Sequence, residues 1–289
     1  MPPHDRGFLL TLSGVVLLTP DTLLVRLVDT DPWTMTAWRG LLAGTSILVG
    51  FIIFRGRNAF AEMRALGAAG LAVSVLYAVN ATTFVVALHF TSVATTLVIL
   101  ATTPLIAAAL SFTVLGERVA GPTWAAIGAG MAGIGVVVWD GLGRGTAFGD
   151  FCALITATTL AATFVVIRRR RDLNMVPAAG LGNLLSALAV LPAAQMLSLA
   201  APQIGFALLM GVAVLPVAFA LLTLGPRTVA APEVALLLLL ETVLGPLWVW
   251  LGVGERPGNA ALLGGAIVVA TLVVHSLWRL RRQRPAHPA

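Results

Sequence analysis

The sequence predicts an all-α integral membrane protein with ten transmembrane helices, arranged in two inverted five-helix repeats with both termini cytoplasmic. Three observations lead to this fold class: the composition, the spacing of the apolar segments and an internal recurrence. Of the 289 residues, 58% are hydrophobic and only 10% are charged, whereas a soluble domain carries about 25% charged residues. A chain this apolar cannot cover a globule with polar surface, so its outer surface must contact lipid.

Apolar segments of membrane-spanning length follow one another along the whole chain. A helix that crosses the hydrocarbon core needs about 20 predominantly apolar residues. This template predicts ten spans: Phe8–Val28, Trp33–Phe54, Leu66–Leu88, Val93–Leu115, Thr123–Trp139, Phe148–Ile167, Met175–Leu199, Ile204–Leu224, Pro232–Leu251 and Ala260–Leu280. The connections are short, and no linker or low-complexity stretch indicates a separate soluble domain.

Arginine placement predicts the orientation of these spans. The chain contains no lysine, and all 18 basic residues are arginines. Cytoplasmic loops retain positive charge, and nearly all loop arginines, including the run 168–171, fall on the side of the N-terminus, whereas the opposite side keeps only Arg144 and Arg256. We therefore expect a multi-pass protein of a bacterial inner membrane. This topology explains the net charge of +6, so we expect no nucleic-acid partner.

A short motif recurs in the two halves of the chain. Gly116-Glu117-Arg118 returns as Gly254-Glu255-Arg256, and each copy lies between a long apolar segment and a glycine-rich one. Chance recurrence is the alternative explanation. Because a five-helix unit crosses the membrane an odd number of times, a second copy must enter it upside down. We predict one membrane domain of two repeats, residues 1–140 and 141–289, and such repeats commonly bind substrate near the midplane between them.

Several motifs resemble those of a known family. They are Ala87-Leu88-His89-Phe90-Thr91-Ser92-Val93-Ala94, Thr103-Pro104-Leu105, Leu115-Gly116-Glu117-Arg118, Leu240-Glu241-Thr242-Val243-Leu244-Gly245-Pro246-Leu247-Trp248 and Gly254-Glu255-Arg256-Pro257. These stretches are similar to the signatures of EamA-type proteins of the drug/metabolite transporter superfamily, which includes a branch of bacterial amino-acid exporters. Many relatives have a proline where this chain has Thr242.

The resemblance covers essentially the whole chain. It implies ten helices in two inverted halves, with a central cavity lined mostly by helices 1–4 and 6–9 and with helices 5 and 10 at the periphery. It also implies export of small metabolites, amino acids among them.

Acidic side chains inside the predicted spans are functional candidates, because an unpaired charge there is costly. We interpret Asp21, Glu233 and Glu241 as a proton or polar relay. Glu241 lies near the centre of its helix and would bind a proton or a substrate amine, unless it is a hydrogen-bonded structural carboxylate. Glu233 begins the same helix, where a simple N-terminal cap is the alternative. Asp21 follows Pro20, which kinks the helix, and alternatively only caps the segment after the kink.

Two arginines, Arg26 and Arg39, fall near the predicted outer ends of the first two spans, close to Asp29 and Asp31. In one interpretation, both arginine side chains extend to the membrane interface and form local salt bridges there. In the alternative, Arg39 reaches the mouth of the cavity and binds a substrate carboxylate through a charge-assisted hydrogen bond.

A polar and aromatic stripe marks the third span. Tyr77, Asn80 and Phe84 are spaced i, i+3 and i+7, which places them on one helix face. We predict that they bind substrate, together with Thr102 and with Trp248, which shares a helix face with Glu241. The alternatives are ordinary interhelical packing and, for Thr102, a hydrogen bond to the backbone that the following proline frees.

The function follows from these candidates and from the resemblance. No metal-ligand spacing, nucleophile motif or phosphate-binding loop occurs in the sequence, so we predict no cofactor and no enzymatic activity. We predict a secondary transporter that exports small metabolites by alternating access through a central cavity. Amino acids are the favoured substrates, especially aromatic or bulky apolar ones. The expected partners are this small-molecule substrate and the lipid bilayer, and the protein is expected to be a monomer or a homodimer.

Three other functions are weighed against this prediction. Exchange of nucleotide sugars or organophosphates would need cations in the cavity, for which only Arg26 and Arg39 are available. A membrane-embedded enzyme acting on lipid-linked substrates would need paired acids or a metal cluster near one interface. A receptor or scaffold would be expected to carry a soluble partner domain or a long exposed tail.

Overall fold

The computed structural model describes residues 3–91, 93–139, 146–254 and 259–283, and the regular structure within these ranges is helical. The helices, labelled in chain order, are α1 (Pro3–Leu18), α2 (Asp21–Val28), α3 (Pro32–Arg55), α4 (Ala59–Ala65), α5 (Gly67–Phe90), α6 (Val93–Leu100), α7 (Thr103–Leu110), α8 (Gly121–Trp139), α9 (Ala147–Arg169), α10 (Val176–Val190), α11 (Ala201–Leu208), α12 (Leu215–Leu224), α13 (Ala231–Val253) and α14 (Asn259–Gln283).

The protein is a multi-pass membrane protein. Within the described residues, seven helical stretches are long and apolar enough to cross a membrane: Asp5–Val28, Pro32–Ala65, Gly67–Phe90, Ala147–Arg169, Val176–Ala193, Ala201–Arg227 and Ala231–Gly252. Shorter apolar helices, Thr103–Leu115 and Ala266–His275, lie inside the fourth and tenth predicted spans. Large side chains such as Ile53 and Phe54 are largely exposed, which suits contact with lipid. The count of ten spans and the cytoplasmic termini stay predictions.

The seventh predicted span, Met175–Leu199, is wrong at its C-terminal end. Helix α10 ends at Val190 and is followed by a single 3₁₀ turn over Leu191–Ala193. Pro192 explains the early end, because a proline has no backbone N–H and cannot continue an α-helical hydrogen-bond ladder. The residues from Ala194 to Ala200 form a non-helical connection.

Two of the predicted spans are interrupted within the bundle. The first is broken at Thr19 and Pro20, between α1 and α2, and the fourth is broken between α6 and α7, just before Pro104. Threonine hydroxyls bind carbonyl oxygens at both breaks: Thr19 donates to Val16 O at 2.8 Å and Thr102 to Ile99 O at 2.6 Å. These bonds satisfy backbone groups that the breaks leave without helical partners. The predicted kink at Pro20 is confirmed.

Helix packing relates the two halves of the chain. The main contacts join α3 to α10, α5 to α9 and to α10, α8 to α14, α1 to α12, α3 to the α11–α12 unit and α7 to α13. We count α1–α2, α6–α7 and α11–α12 as one unit each and treat α4 as a surface appendage, so that each half has five units. When each unit is replaced by its counterpart in the other half, every contact of this set becomes a contact that is also in the set. The packing is therefore that of two related halves.

Side chains from both halves form the main core. Val15, Leu24 and Met35 from the first half pack in one cluster with Phe164 and Met210 from the second. A smaller cluster joins α8 and α14 to α13. The main cluster surrounds a space between the halves, and this space is the candidate functional site.

Candidate functional site

A central cavity lies between the two halves. It contains about 600 Å³ of empty space, including the part that is open to solvent. Both halves supply its walls, which are mostly apolar and carry a few polar and charged groups. The lining residues are Leu18, Asp21, Arg39, Tyr77, Asn80, Ala81, Phe84, Leu100, Thr156, Leu160, Phe164, Phe219, Leu222, Leu238 and Glu241. Apolar walls with a few convergent polar groups are typical of small-molecule sites.

A buried ion pair forms one side of the cavity. Asp21 is the first residue of α2, directly after the break at Pro20, and Arg39 lies in α3. The Nη1 atom of Arg39 donates to both carboxylate oxygens of Asp21, at 2.6 and 2.7 Å. The two side chains are only 6% and 2% exposed. The structure thus excludes the interpretation that Arg39 extends to the membrane interface beside Asp31.

Two neutral side chains also contact the Arg39 guanidinium. The Phe84 ring lies below it, with 5.8 Å between the ring centroid and Cζ, and the sulfur of Met210 is 3.7 Å from Nη1. An arginine over an aromatic face is attracted by the ring quadrupole. These contacts fix the guanidinium between α2, α5 and the segment that joins α11 to α12. Arg26, in contrast, is exposed.

Glu241 is the second acidic group that faces the cavity. It projects from the middle of α13 and is half-buried. In the described part of the chain, its carboxylate accepts no hydrogen bond and forms no ion pair, although Asp21 and Arg39 lie close enough to interact with it electrostatically. Its position in α13 and its lack of a partner distinguish it from Asp21, which faces the same space.

The predicted stripe on α5 faces the cavity as well. Tyr77 shares a hydrogen bond of 2.8 Å with Thr223, and its ring contacts Phe219 edge-on at 5.9 Å between centroids. The amide nitrogen of Asn80 donates hydrogen bonds to Thr156 O at 3.0 Å and to Thr159 Oγ1 at 3.4 Å. Its Oδ1 atom accepts no hydrogen bond from the residues that the structure describes.

The remaining predicted site residues lie elsewhere. Thr102 uses its hydroxyl on the α6–α7 break and does not line the cavity. Trp248 donates from Nε1 to Thr19 Oγ1 at 2.8 Å and is 39% exposed, outside the cavity wall. Glu233 lies in the first turn of α13, half-buried and away from the cavity. The cavity therefore brings together Asp21, Arg39, Glu241 and the α5 stripe, and leaves these three residues out.

Sequence reasoning named Glu241 but missed the residues that α9 and α12 contribute to the cavity wall. Thr156, Leu160 and Phe164 follow one another at four-residue steps along α9, and Phe219 and Leu222 belong to α12. The four-residue spacing shows that the α9 residues share a helix face, but their apolar character does not separate a cavity wall from a lipid-facing or core surface. The hydroxyl group of Thr156 is the one polar feature of these three residues, and it could have marked this face as part of the cavity wall.

Among the described carboxyl groups outside the membrane-spanning segments, one has a pKa that shifts from its ordinary value. Asp31 caps the N-terminus of α3, and its Oδ1 accepts from the backbone N–H groups of Trp33 and Thr34, each at 3.0 Å. Partial burial would raise the pKa of Asp31, but these hydrogen bonds, with a smaller contribution from His89, lower it overall. Asp31 therefore acts as a charged helix cap and not as a proton carrier.

The fold and the cavity define a class of protein: a multi-pass membrane protein of two related halves around a central cavity. The model of the EamA-like transporter family matches residues 5–139 and again residues 147–277. The chain therefore belongs to the EamA-like transporter family. This family consists of membrane transporters and not of enzymes, which implies a small-molecule substrate and a lipid bilayer as partners.

Solved structures support the fold. One crystal structure superposes on the chain with a TM-score of 0.80 at 18% sequence identity, and the alignment covers 94% of this chain and 98% of the other. A likeness at this identity shows the fold alone. No curated protein matches the sequence significantly.

Proposed function

We propose that the protein is a secondary transporter that exports amino acids and related small metabolites across a bacterial inner membrane by alternating access. The observation that carries the proposal is the Glu241 carboxylate, which faces a largely apolar cavity between two related halves without a hydrogen-bond or ion-pair partner in the described chain. A carboxylate at low effective dielectric attracts a cation much more strongly than it does in water. The ammonium group of an amino acid supplies that cation.

The cavity walls favour particular side chains. Phe84 and Phe219 line the cavity and are half-buried, whereas Tyr77 and Phe164 line it from almost fully buried positions. Aromatic rings pack well against other rings and against cations. An aromatic or bulky apolar amino acid would place its ammonium group at Glu241 and its side chain among these rings. This arrangement supports the amino-acid class and, within it, the larger apolar members.

Glu241 also supplies a means of energy coupling. A proton and a substrate ammonium group both neutralise the same carboxylate, so they compete for it. A carrier that returns with a proton on Glu241 and leaves with an amino acid performs proton–substrate antiport, which uses the inward proton gradient to drive export. Asp21 is unsuited to this exchange, because Arg39 occupies both of its carboxylate oxygens.

Exchange of organophosphates is less well supported. A phosphate site needs cations that are available to the ligand, and Arg39 is the one cation among the described lining residues. Asp21 already compensates its charge, and Glu241 adds a negative charge that repels a phosphate. An enzymatic role for the same carboxylates is not favoured, because the family consists of transporters.

Uptake into proteoliposomes tests the proposal. Purified protein is reconstituted, and the flux of labelled aromatic, aliphatic and charged amino acids is measured with and without an imposed pH gradient. We expect saturable flux of aromatic or bulky apolar amino acids that a pH gradient accelerates in the direction opposite to proton movement. Protein-free liposomes control for leakage. Absence of saturable flux for every amino acid would contradict the proposed substrate class.

A further inference from the structure

The charge balance of the cavity indicates which part of the substrate is recognised. Among the described lining residues, the charged groups are Asp21, Arg39 and Glu241. Asp21 and Arg39 neutralise each other at 2.6 Å, which leaves Glu241 as the acidic group without a counter-charge among these residues. A singly charged cation that binds the ionised form of Glu241 would make the occupied cavity electrically neutral, whereas an anion would add a second uncompensated negative charge.

Arg39 is poorly placed to bind a substrate carboxylate. Its side chain is only 6% exposed, and Asp21, Phe84 and Met210 already contact its guanidinium. A carboxylate that reached the remaining N–H groups would lie beside the carboxylates of Asp21 and Glu241. Like charges at short range in a site of low dielectric repel each other strongly, so the guanidinium does not offer a favourable second anion site.

A second acceptor is available for an ammonium group. The amide nitrogen of Asn80 donates to two acceptors on α9, Thr156 O and Thr159 Oγ1. The Oδ1 atom is therefore the part of the amide without a described partner. Asn80 and Glu241 line the same cavity from α5 and α13. An ammonium group has three N–H donors, and an acceptor on each side of the cavity would bind two of them.

We infer that the cavity recognises a primary amine on an aromatic body, through Glu241 and Asn80, and does not recognise the substrate carboxylate. This inference rests on the proposed function and narrows it: arylalkylamines, which lack the carboxylate, should bind at least as tightly as the corresponding amino acids. Compounds that keep the carboxylate but lose the amine charge should bind poorly. The ammonium group and the aromatic ring are the two determinants.

A ligand series on the purified full-length protein tests this inference. The shift in thermal unfolding temperature that each ligand causes reports its affinity, because a ligand that binds the native state stabilises it by mass action. The probes are phenylalanine, phenethylamine, N-acetylphenylalanine and 3-phenylpropionate. We expect phenethylamine to bind at least as tightly as phenylalanine, and the last two to bind at least about tenfold more weakly, as the loss of a charge-assisted hydrogen bond implies.

Variants assign the effect to its residues. Asn80→Leu should weaken phenethylamine about tenfold, the loss of one hydrogen bond to a charged group, and Glu241→Gln should weaken it further. Glu117→Gln, remote from the cavity, serves as the matched control and should leave the affinity unchanged. If Glu241→Gln does not fold, the ligand series on the unaltered protein and Asn80→Leu still decide the question.

The outcomes separate this inference from the proposed function. If 3-phenylpropionate or N-acetylphenylalanine binds as tightly as phenylalanine, or if phenylalanine binds and phenethylamine does not, the inference is overturned while amino-acid transport stands. If neither phenylalanine nor phenethylamine binds, and no amino acid shows saturable flux in proteoliposomes, the proposed function fails together with the inference.

Discussion

Arg39 donates from a single nitrogen atom to both carboxylate oxygens of Asp21, at 2.6 and 2.7 Å, although 18 residues separate them in the sequence. The short connection between α2 and α3 brings the two side chains to the same depth in the bundle. Because both are almost fully buried, the pair converts two costly charges into one neutral unit beside the cavity. Glu241 is thereby left as the acidic group without a counter-charge among the described lining residues.

The first prediction concerns the stability of this pair. Removal of one member of a buried ion pair leaves the other charge uncompensated, which typically costs about 3–5 kcal/mol. We expect Asp21→Asn and Arg39→Gln each to lower the unfolding temperature of the purified protein markedly. The double variant should be more stable than the sum of the single effects implies, because it leaves no orphan charge.

An exposed ion pair on α3 and α4 provides the control for this prediction. Arg55 and Glu62 are 3.4 Å apart, with side chains 47% and 32% exposed. Arg55→Gln should cost less than about 1 kcal/mol, as for other surface pairs. Two results would contradict this prediction. One is that the stability losses of the Asp21 and Arg39 single variants simply add in the double variant. The other is that Arg39→Gln and Arg55→Gln lower the stability equally, which would show that burial does not strengthen the cavity pair.

The second prediction concerns the contact between α3 and α10. A Cβ atom added at Gly40 would clash with the backbone carbonyl oxygen of Asn183, whereas one added at Gly50, on the same helix, would meet nothing within 4 Å. We expect Gly40→Ala to destabilise the protein by about 1–3 kcal/mol through overpacking, and Gly50→Ala to be neutral. Thermal unfolding of both variants checks this, and equal effects would disprove the close packing at Gly40.

The third prediction separates structure from binding at Trp248. Trp248→Phe removes the hydrogen bond from Nε1 to Thr19 Oγ1, which should cost about 0.5–1.5 kcal/mol of stability. Because Trp248 does not line the cavity, the apparent KM for substrate should not change. Trp250→Phe is the matched control, since Trp250 is similarly exposed at 40%. A shift in KM for Trp248→Phe alone would return this residue to the substrate site.

The fourth prediction concerns acid stability at the start of α3. The pKa of Asp31 is lowered in the folded protein, so the stability it contributes is complete above its unfolded pKa of about 3.9 and is lost as the pH falls through the folded value. Asp31→Asn can still accept the capping hydrogen bonds but does not titrate. The unfolding temperature of the wild type relative to Asp31→Asn should therefore fall on acidification below about pH 4. A constant difference would contradict this account.

Part of this site could be predicted from the sequence because local rules determine it. Helical periodicity alone places Tyr77, Asn80 and Phe84 on one face, and they do line the cavity. The cost of a charge in a membrane identifies Asp21 and Glu241 as exceptional residues. Proline chemistry explains the break at Pro20. These inferences need no knowledge of which helices are neighbours.

The rest depends on how helices pack, which local patterns do not contain. The bond between Arg39 and Asp21 follows from the relative depth of α2 and α3. Trp248 shares a helix face with Glu241 but lies seven residues further, about 10 Å along the axis at 1.5 Å per residue, so it reaches Thr19 and not the cavity. The α9 wall around Phe164 was missed because an apolar residue looks the same whether it faces lipid, core or cavity.

The central claim is that protons and the substrate amine compete for Glu241. The most direct test is the accumulation of labelled phenylalanine in proteoliposomes under a pH gradient, compared between wild type and Glu241→Gln, with Glu117→Gln as a folded control remote from the cavity. We predict that Glu241→Gln loses gradient-driven accumulation, while the wild type and Glu117→Gln retain it. Gradient-driven accumulation at the wild-type level in a folded Glu241→Gln protein would contradict the account.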